Sequence, residues 1–216
     1  MSKPRPRRLL ILACSATKTK DPGRIPAYQR YNGPLWQTLR TVDPGRELAA
    51  VAFVSARFGF KHACYGIEDY DARLTPELAR QMIEGGLSML WPHKPQRGRT
   101  IRMPIGTSAI QEMGFLNGPH ELAEQVGAPP KPAFVFNDAA LVGGGLYLEV
   151  MRSLVAGFVA YGNLASDARV VEINGPIGIM RSQLGAWLRE RSATAQKRSA
   201  TKVRRPASNP LQGQLL

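Results

Sequence analysis

Four apolar runs, each bounded by polar or charged residues, predict buried β-strands. The first two runs, RLLILACS and LAAVAFVSA, place apolar residues at consecutive positions, which indicates strands that are covered on both faces. The four runs are residues 8–15, 48–56, 133–136 and 169–173.

Segments with apolar residues at helical spacing separate these strands. The clearest one begins at Thr75-Pro76-Glu77, where a hydroxyl cap, a Pro at the first helical position and an acid in the first turn combine. Its helical spacing continues to Pro92. Further helices are predicted after Asn32 as a cap, over residues 108–126 (the weakest), over 146–161 and over 177–191.

Strands and helices therefore alternate about four times, which predicts an α/β fold. We expect a three-layer sandwich with a mostly parallel central sheet of about four strands and helices on both faces. Ligands of such sheets bind beyond the carboxyl ends of the strands, where the strand order reverses. The loops after the first three strands are therefore the expected place for chemistry.

The 216 residues carry 29 Lys and Arg against 16 Asp and Glu, a net charge of +13. We expect one α/β domain over residues 9–191. It lies between a basic arm, residues 1–8, and a basic flexible tail, residues 192–216, neither of which contains an acid. Such charge favours a polyanion, most simply nucleic acid, although solubility alone is an alternative. Two cysteines exclude a disulfide scaffold, and no membrane-spanning segment or protein partner is evident, so we expect a cytoplasmic protein.

The first loop offers Ser15, Thr17 and Lys18 directly after a buried strand, which predicts phosphate binding. The loop is not a nucleotide-binding Walker motif, and a solvated connection is an equally simple interpretation. Cys14 is interpreted as a core thiol. Between Pro92 and Pro104, a stretch without acids adds further candidate phosphate ligands, namely Lys94, Arg97 and Arg99.

The second loop combines Arg57, a further phosphate ligand, with the segment Glu68-Asp69-Tyr70-Asp71. Clustered carboxylates favour a general base or a charge stabiliser, and the alternative is a turn cluster paired with arginines. In the third loop, Asn137 and Asp138 are predicted to end a strand, where Asn reads a base edge and Asp orients water. An Asx turn is the alternative there. A Gly143-Gly144-Gly145 turn follows.

These segments together resemble the YaaA-type superfamily, which includes a domain associated with archaeosine synthase. The resemblance covers roughly residues 8–191, and it is strongest in LLILACSATK, VSARFGF and IEDYDARL. The matching positions are Cys14, Ser15, Lys18, Pro26, Ala27, Tyr31, Ser55, Ala56, Gly59, Tyr70 and Asp71. The chain departs from the family pattern at Phe60, where Leu is usual, and at Asp69, where Pro is common.

The resemblance implies a fold like that of uracil-DNA glycosylases and action on modified bases, such as the glucosylated hydroxymethylcytosine that anti-phage glycosylases remove from viral DNA. The Gly-x-Asp-Pro-Tyr motif of glycosylases is matched here only by Asp21-Pro22. The expected function is a monofunctional DNA glycosylase that flips a modified base out of double-stranded DNA and needs neither cofactor nor metal. A non-catalytic DNA-binding stress protein and an enzyme acting on free nucleosides are the alternatives.

In the glycosylase hypothesis, one carboxylate stabilises the developing sugar cation and aligns water. Asp71 or Asp69 is the first candidate, with Asp21 and Asp138 in reserve. Asn137 and Tyr70 are the candidates for base binding. No lysine is evident in an apolar pocket, so Schiff-base chemistry and strand cleavage are not expected.

Overall fold

A five-stranded sheet forms the centre of the computed structural model, which describes residues 7–92, 106–117 and 132–190. The described strands are β1 (Arg8–Ala13), β2 (Ile25–Pro26), β3 (Ala50–Ser55), β4 (Gly59–His62), β5 (Gly66–Ile67), β6 (Phe136–Val142) and β7 (Leu164–Ile173). The described helices are α1 (Ala27–Arg30), α2 (Pro34–Val42), α3 (Pro76–Gly85), α4 (Ala109–Leu116), α5 (Gly145–Ala160) and α6 (Ile177–Arg189). None of these helices is both long and apolar enough to cross a bilayer.

The order of the central sheet is β4-β3-β1-β6-β7, with only β4 antiparallel to its neighbour. This confirms a mixed α/β fold with a mostly parallel sheet. The prediction of about four strands omits β4, because its sequence Gly-Phe-Lys-His lacks an apolar run. The two residues of β2 pair with β5 in a separate small ribbon.

Side chains of β1 alternate between two buried cores, one on each face of the sheet. Leu9 and Ile11 face the core that contains residues of α3, α4 and α5, whereas Leu10 and Leu12 face the core built with α2 and α6. All four leucine and isoleucine side chains are fully buried. Their burial on both faces explains why β1 has no polar position in its centre.

The helices begin within about one residue of the predicted starts, but two of them end early. α4 ends at Leu116, inside the predicted span 108–126, of which residues 118–126 lie outside the described part of the chain. Thr75 caps α3 as predicted, accepting a hydrogen bond from Leu78 N, but the helix ends at Gly85 and not at Pro92. Gly86 at its end has a φ of +61°, a conformation that favours glycine. The cap of α2 is Gly33 and not Asn32, whose Oδ1 instead accepts a hydrogen bond from Arg40 Nη2.

The strand order reverses between β1 and β6. From β1 the chain passes through α2 to β3 on one side of β1, while β6 lies on the other side and is followed by α5. Because α2 and α5 cover opposite faces, the carboxyl ends of β1 and β6 form the switch point at which ligands of such sheets bind. The expected position for a ligand is therefore the junction of the loop after Ala13 with Gly143.

A buried charge cluster joins β4 to α4. The Lys61 side chain is fully buried; its Nζ donates to Thr107 O (3.0 Å) and lies 3.6 Å from Glu112 Oε1. Glu112 also accepts hydrogen bonds from the Thr107 hydroxyl and from His62 N. Burial lowers the pKa of Lys61 to about 8, although the Glu112 charge opposes that shift. Lys61 is thus a buried lysine, but its ammonium lies between a carboxylate and a carbonyl and not in an apolar pocket.

We expect the free energy of unfolding to rise with pH between about 8 and 10. Above the folded pKa of about 8, folded Lys61 is neutral while an unfolded lysine still binds its proton, so the unfolded state binds more protons. The gain approaches about 1.4 kcal/mol per pH unit and ends near pH 10.5. Above pH 10, the raised pKa values of Tyr31, Tyr70 and Tyr147 reverse the trend, because unfolded tyrosines lose protons first.

Urea denaturation of the wild type and of Lys61→Met, followed by tryptophan fluorescence at pH 7 to 10, checks this prediction. The rise is expected in the wild type and not in the variant. An equal rise in both proteins would assign the effect to other groups.

Candidate functional site at the carboxyl edge of the sheet

Three hydroxyl groups from distant segments form a chain at the carboxyl end of β3. Tyr70 Oη lies 2.6 Å from Tyr31 Oη and 2.8 Å from Ser55 Oγ. Ser55 Oγ also accepts a hydrogen bond from Arg57 N (3.1 Å), which favours Ser55 as the donor to Tyr70. Burial raises the pKa of Tyr31 and Tyr70, so both phenols stay protonated at neutral pH.

Lys18 fastens the first loop to this chain. Its Nζ donates to Tyr70 O (2.7 Å) and lies 4.3 Å from the centroid of the Tyr70 ring. Tyr70 also meets Phe58 edge to face at a centroid distance of 5.0 Å. The ring is thus partly covered, which makes Tyr70 more an anchor than a platform for base stacking. Tyr31 is fully buried, so its ring offers no face for stacking on a base, and Trp36 is buried beside it in the core.

Cys14 and Tyr147 meet at the switch point between β1 and β6. Cys14 Sγ lies 3.1 Å from Tyr147 Oη, and burial raises the pKa of Tyr147. Gly143 allows this approach, because a Cβ there would lie 3.0 Å from Ala13 Cβ. Cys14 is half-buried, so the expected core thiol borders the site. We define the carboxyl-edge site as the group of residues Cys14, Ser15, Lys18, Tyr31, Ser55, Tyr70 and Tyr147.

Ser15 of this site lies against the start of α2. A Cβ at Gly33 would lie only 2.3 Å from Ser15 Oγ and 3.2 Å from Ser15 Cβ, so the close approach of the two segments favours glycine. Thr17 accepts a backbone hydrogen bond from Asn32 through its carbonyl and keeps its side chain exposed. The structure therefore brings Ser15 and Lys18 together at the edge and places Thr17 beside them.

The helices that begin at this edge lack the features that normally satisfy a helix N-terminus. Gly33, Gly144 and Pro176 are the N-caps of α2, α5 and α6; none provides a side-chain hydrogen bond, and none of these helices has an acid in its first turn. By contrast, α3 and α4 have capping hydroxyls, Thr75 and Ser108, and an acid in the first turn. Uncapped N–H groups carry the positive end of the helix dipole and favour an anion.

The carboxylates of the second loop occupy three different environments. Glu68 pairs with Arg57 at 3.4 Å, as the alternative interpretation of paired arginines expects, so Arg57 is not a free phosphate ligand. Asp69 Oδ1 accepts a hydrogen bond from Tyr70 N, its neighbour in the chain. Asp71 is exposed and has no hydrogen-bond or ion-pair partner within residues 7–92, 106–117 and 132–190. Of these three carboxylates, only Asp71, the residue after Tyr70, lacks a hydrogen-bond or ion-pair partner within the described residues.

Asp21 is held within its own loop. Its Oδ1 accepts from Gly23 N (2.8 Å) in an Asx turn, and its carbonyl accepts from Arg30 Nη1 (2.9 Å). The Arg30 guanidinium is buried and also bonds to Thr19 O and Gly23 O. These contacts give Asp21 a part in the shape of the loop and do not bring it to the carboxyl-edge site.

The prediction that Asn137 and Asp138 end a strand is wrong. β6 begins at Phe136, so both residues lie at the opposite, amino edge of the sheet. Asp138 accepts from Arg8 Nε (2.8 Å), Arg169 Nε (3.2 Å) and Trp187 Nε1 (3.3 Å), a structural network. The basic arm predicted for residues 1–8 likewise ends before Arg8, which is the first residue of β1 and is buried.

The Asn137 side chain has its own environment at this edge. Its Oδ1 is buried without a hydrogen-bond partner within the described residues.

The candidate phosphate ligands Lys94, Arg97 and Arg99 lie outside the described residues.

No group of three or more His, Cys, Asp or Glu side chains that could hold a metal ion occurs within the described part of the chain. Comparison with protein-family models, curated proteins and solved structures found no match to this chain.

Proposed function

We propose that this chain is a monofunctional DNA glycosylase with the arrangement of a uracil-DNA glycosylase fold, and that its carboxyl-edge site hydrolyses the N-glycosidic bond of a modified base. One observation carries the proposal: Asp71, a carboxylate without a partner among the described residues, directly follows Tyr70. The backbone of Tyr70 is fixed by Lys18 and its hydroxyl by Ser55 and Tyr31. A charge held on an anchored backbone is suited to stabilising a transition state.

The surroundings of the site suit the phosphates on either side of a flipped nucleotide. The uncapped N-termini of α2, α5 and α6 supply N–H donors, and Lys18 supplies a cation. The net charge of +13 favours a polyanion. The exposed glycines Gly144 and Gly145 have no atom within 4 Å of a Cβ position, which leaves room for a base larger than uracil.

In the proposed reaction, the bond between C1′ and the base nitrogen breaks and leaves a sugar cation, which the Asp71 carboxylate stabilises. Water adds its hydroxide to C1′, and its remaining proton is transferred to the departing base. The products are a free base and an abasic site. No lysine takes part, so the DNA strand stays intact.

The proposal is tested with duplex oligonucleotides that carry glucosylated hydroxymethylcytosine, hydroxymethylcytosine, uracil or cytosine at one position. Mass spectrometry detects the released base, and alkaline cleavage of the labelled strand detects the abasic site. We expect release of at least one modified base, no release of cytosine, and no strand cleavage before alkali is added.

Duplex binding without release of any of these bases would overturn the glycosylase proposal in favour of a non-catalytic DNA-binding protein. Release from free nucleosides but not from duplex DNA would overturn it in favour of a nucleoside hydrolase.

A further inference from the structure

A second positively charged surface lies between α2 and α6, on one face of the sheet. The groove has a volume of about 390 Å³ and is open to solvent. Its lining comprises Thr38, Thr41, Val42, Gly178, Arg181, Ser182, Gly185 and Arg189. The α6 positions follow at intervals of three, one, three and four residues, so they form one face of the helix.

The groove contains cations without anions. Neither α2 nor α6 contains an Asp or Glu, whereas some exposed arginines of other elements lie opposite carboxylates. Arg152, for example, pairs with Glu172, and Arg80 with Glu77. Within the described residues, neither Arg181 nor Arg189 has a carboxylate partner. An unpaired positive surface of this kind is complementary to a phosphate backbone.

Arg181 is held in place before any ligand binds. Its Nε donates to Thr38 Oγ1 (3.0 Å), and the Thr38 hydroxyl donates to Pro34 O (2.9 Å). This contact leaves both Nη groups of Arg181 without a partner among the described residues. A guanidinium so oriented presents its fork of donors at little further entropic cost.

The groove is also open and long enough for the sugar-phosphate backbone of one DNA strand. Gly178 has open space around its Cβ position, and Ser182 is exposed. Arg181 and Arg189 are eight residues apart, about 12 Å along the helix axis. Because α2 and α6 both begin at the carboxyl edge of the sheet, the groove between them runs from that edge toward the amino edge.

We infer that the groove between α2 and α6 binds the phosphate backbone of duplex DNA beside the flipped nucleotide. The inference rests on the DNA-binding part of the proposed function and not on the glycosylase reaction. It assigns Arg181 and Arg189 as phosphate ligands, with Thr38 positioning Arg181.

The test measures binding of a labelled, unmodified duplex by fluorescence anisotropy over a series of salt concentrations. The variant Ser182→Glu places a carboxylate in the groove, and we expect at least tenfold weaker binding at low salt. In Arg181→Gln/Arg189→Gln, the slope of log Kd against log salt should fall by about 1.8, since each phosphate contact contributes about 0.9.

The matched control is Ala156→Glu, which makes the same change in charge at an exposed position of α5, on the other face of the sheet. Its binding should change less than twofold. Equal losses in Ser182→Glu and Ala156→Glu would overturn the inference and leave the glycosylase proposal standing. Failure of the wild type to bind duplex DNA would overturn both.

Discussion

Asp71→Asn is expected to slow base release by a factor of about 100 to 1,000. The substitution keeps the shape of the side chain and removes only its negative charge. Within the described residues, the Asp71 carboxylate has no hydrogen-bond or ion-pair partner. Loss of its charge is therefore expected to change the rate of the reaction and not the stability of the fold. Asp69→Asn should stay within about threefold of the wild type, because an amide oxygen can still accept the hydrogen bond from Tyr70 N.

Single-turnover release from a saturating modified duplex is the measurement, since it separates chemistry from binding and product release. Both variants lose one negative charge at exposed positions two residues apart, so they control each other for net charge. Full activity in both would remove the carboxylate from the proposed mechanism. Equal loss in both would point to the net charge of the loop and not to Asp71.

The elements that the sequence predicts best are those whose stability is local. α3 begins at Thr75 because cap, Pro and acid all act within one turn, and β1 is visible because every central side chain is apolar. β4 is different, since it pairs with β3 and its buried Lys61 lies opposite Glu112, 51 positions away. A contact at that separation leaves no signal in the periodicity of either segment.

The misplaced third loop has the same cause. Asn137-Asp138 resembles a turn because both residues favour one in isolation. In the folded chain, Arg8, Arg169 and Trp187 satisfy Asp138 inside a strand. The partners come from three distant segments, so the tertiary structure overrides the local preference and moves the pair to the opposite edge of the sheet.

The candidate site was partly visible in the sequence. Ser15 and Lys18 follow the first predicted strand, and Tyr70 and Asp71 belong to the second loop. In the structure, Lys18 Nζ donates to Tyr70 O, and Asp71 is the next residue. The hydrogen-bond chain of Ser55, Tyr70 and Tyr31 and the contact of Tyr147 with Cys14 could not be predicted, because hydroxyl groups on separate segments have no common spacing. The glycine triplet before α5 was the available signal for Tyr147, since such a turn admits a close neighbour.

The ion pair of Lys61 and Glu112 gives the largest expected change in stability. Glu112→Gln should lower the free energy of unfolding by about 3–5 kcal/mol at pH 7, because it leaves the buried ammonium without an opposite charge. The loss should shrink at pH 9.5, since folded Lys61, with its pKa of about 8, is then neutral in the wild type as well.

A double-mutant cycle identifies the pair as the cause. Lys61→Met alone leaves the Glu112 carboxylate buried without its lysine, so it too should destabilise the protein at pH 7. The double variant Lys61→Met/Glu112→Gln removes both charges and should recover stability to within about 1 kcal/mol of the wild type. Urea denaturation at pH 7 and 9.5 measures all four proteins. Additive losses, or a Glu112→Gln loss that is the same at both pH values, would show that α4 is held to β4 by packing and not by charge.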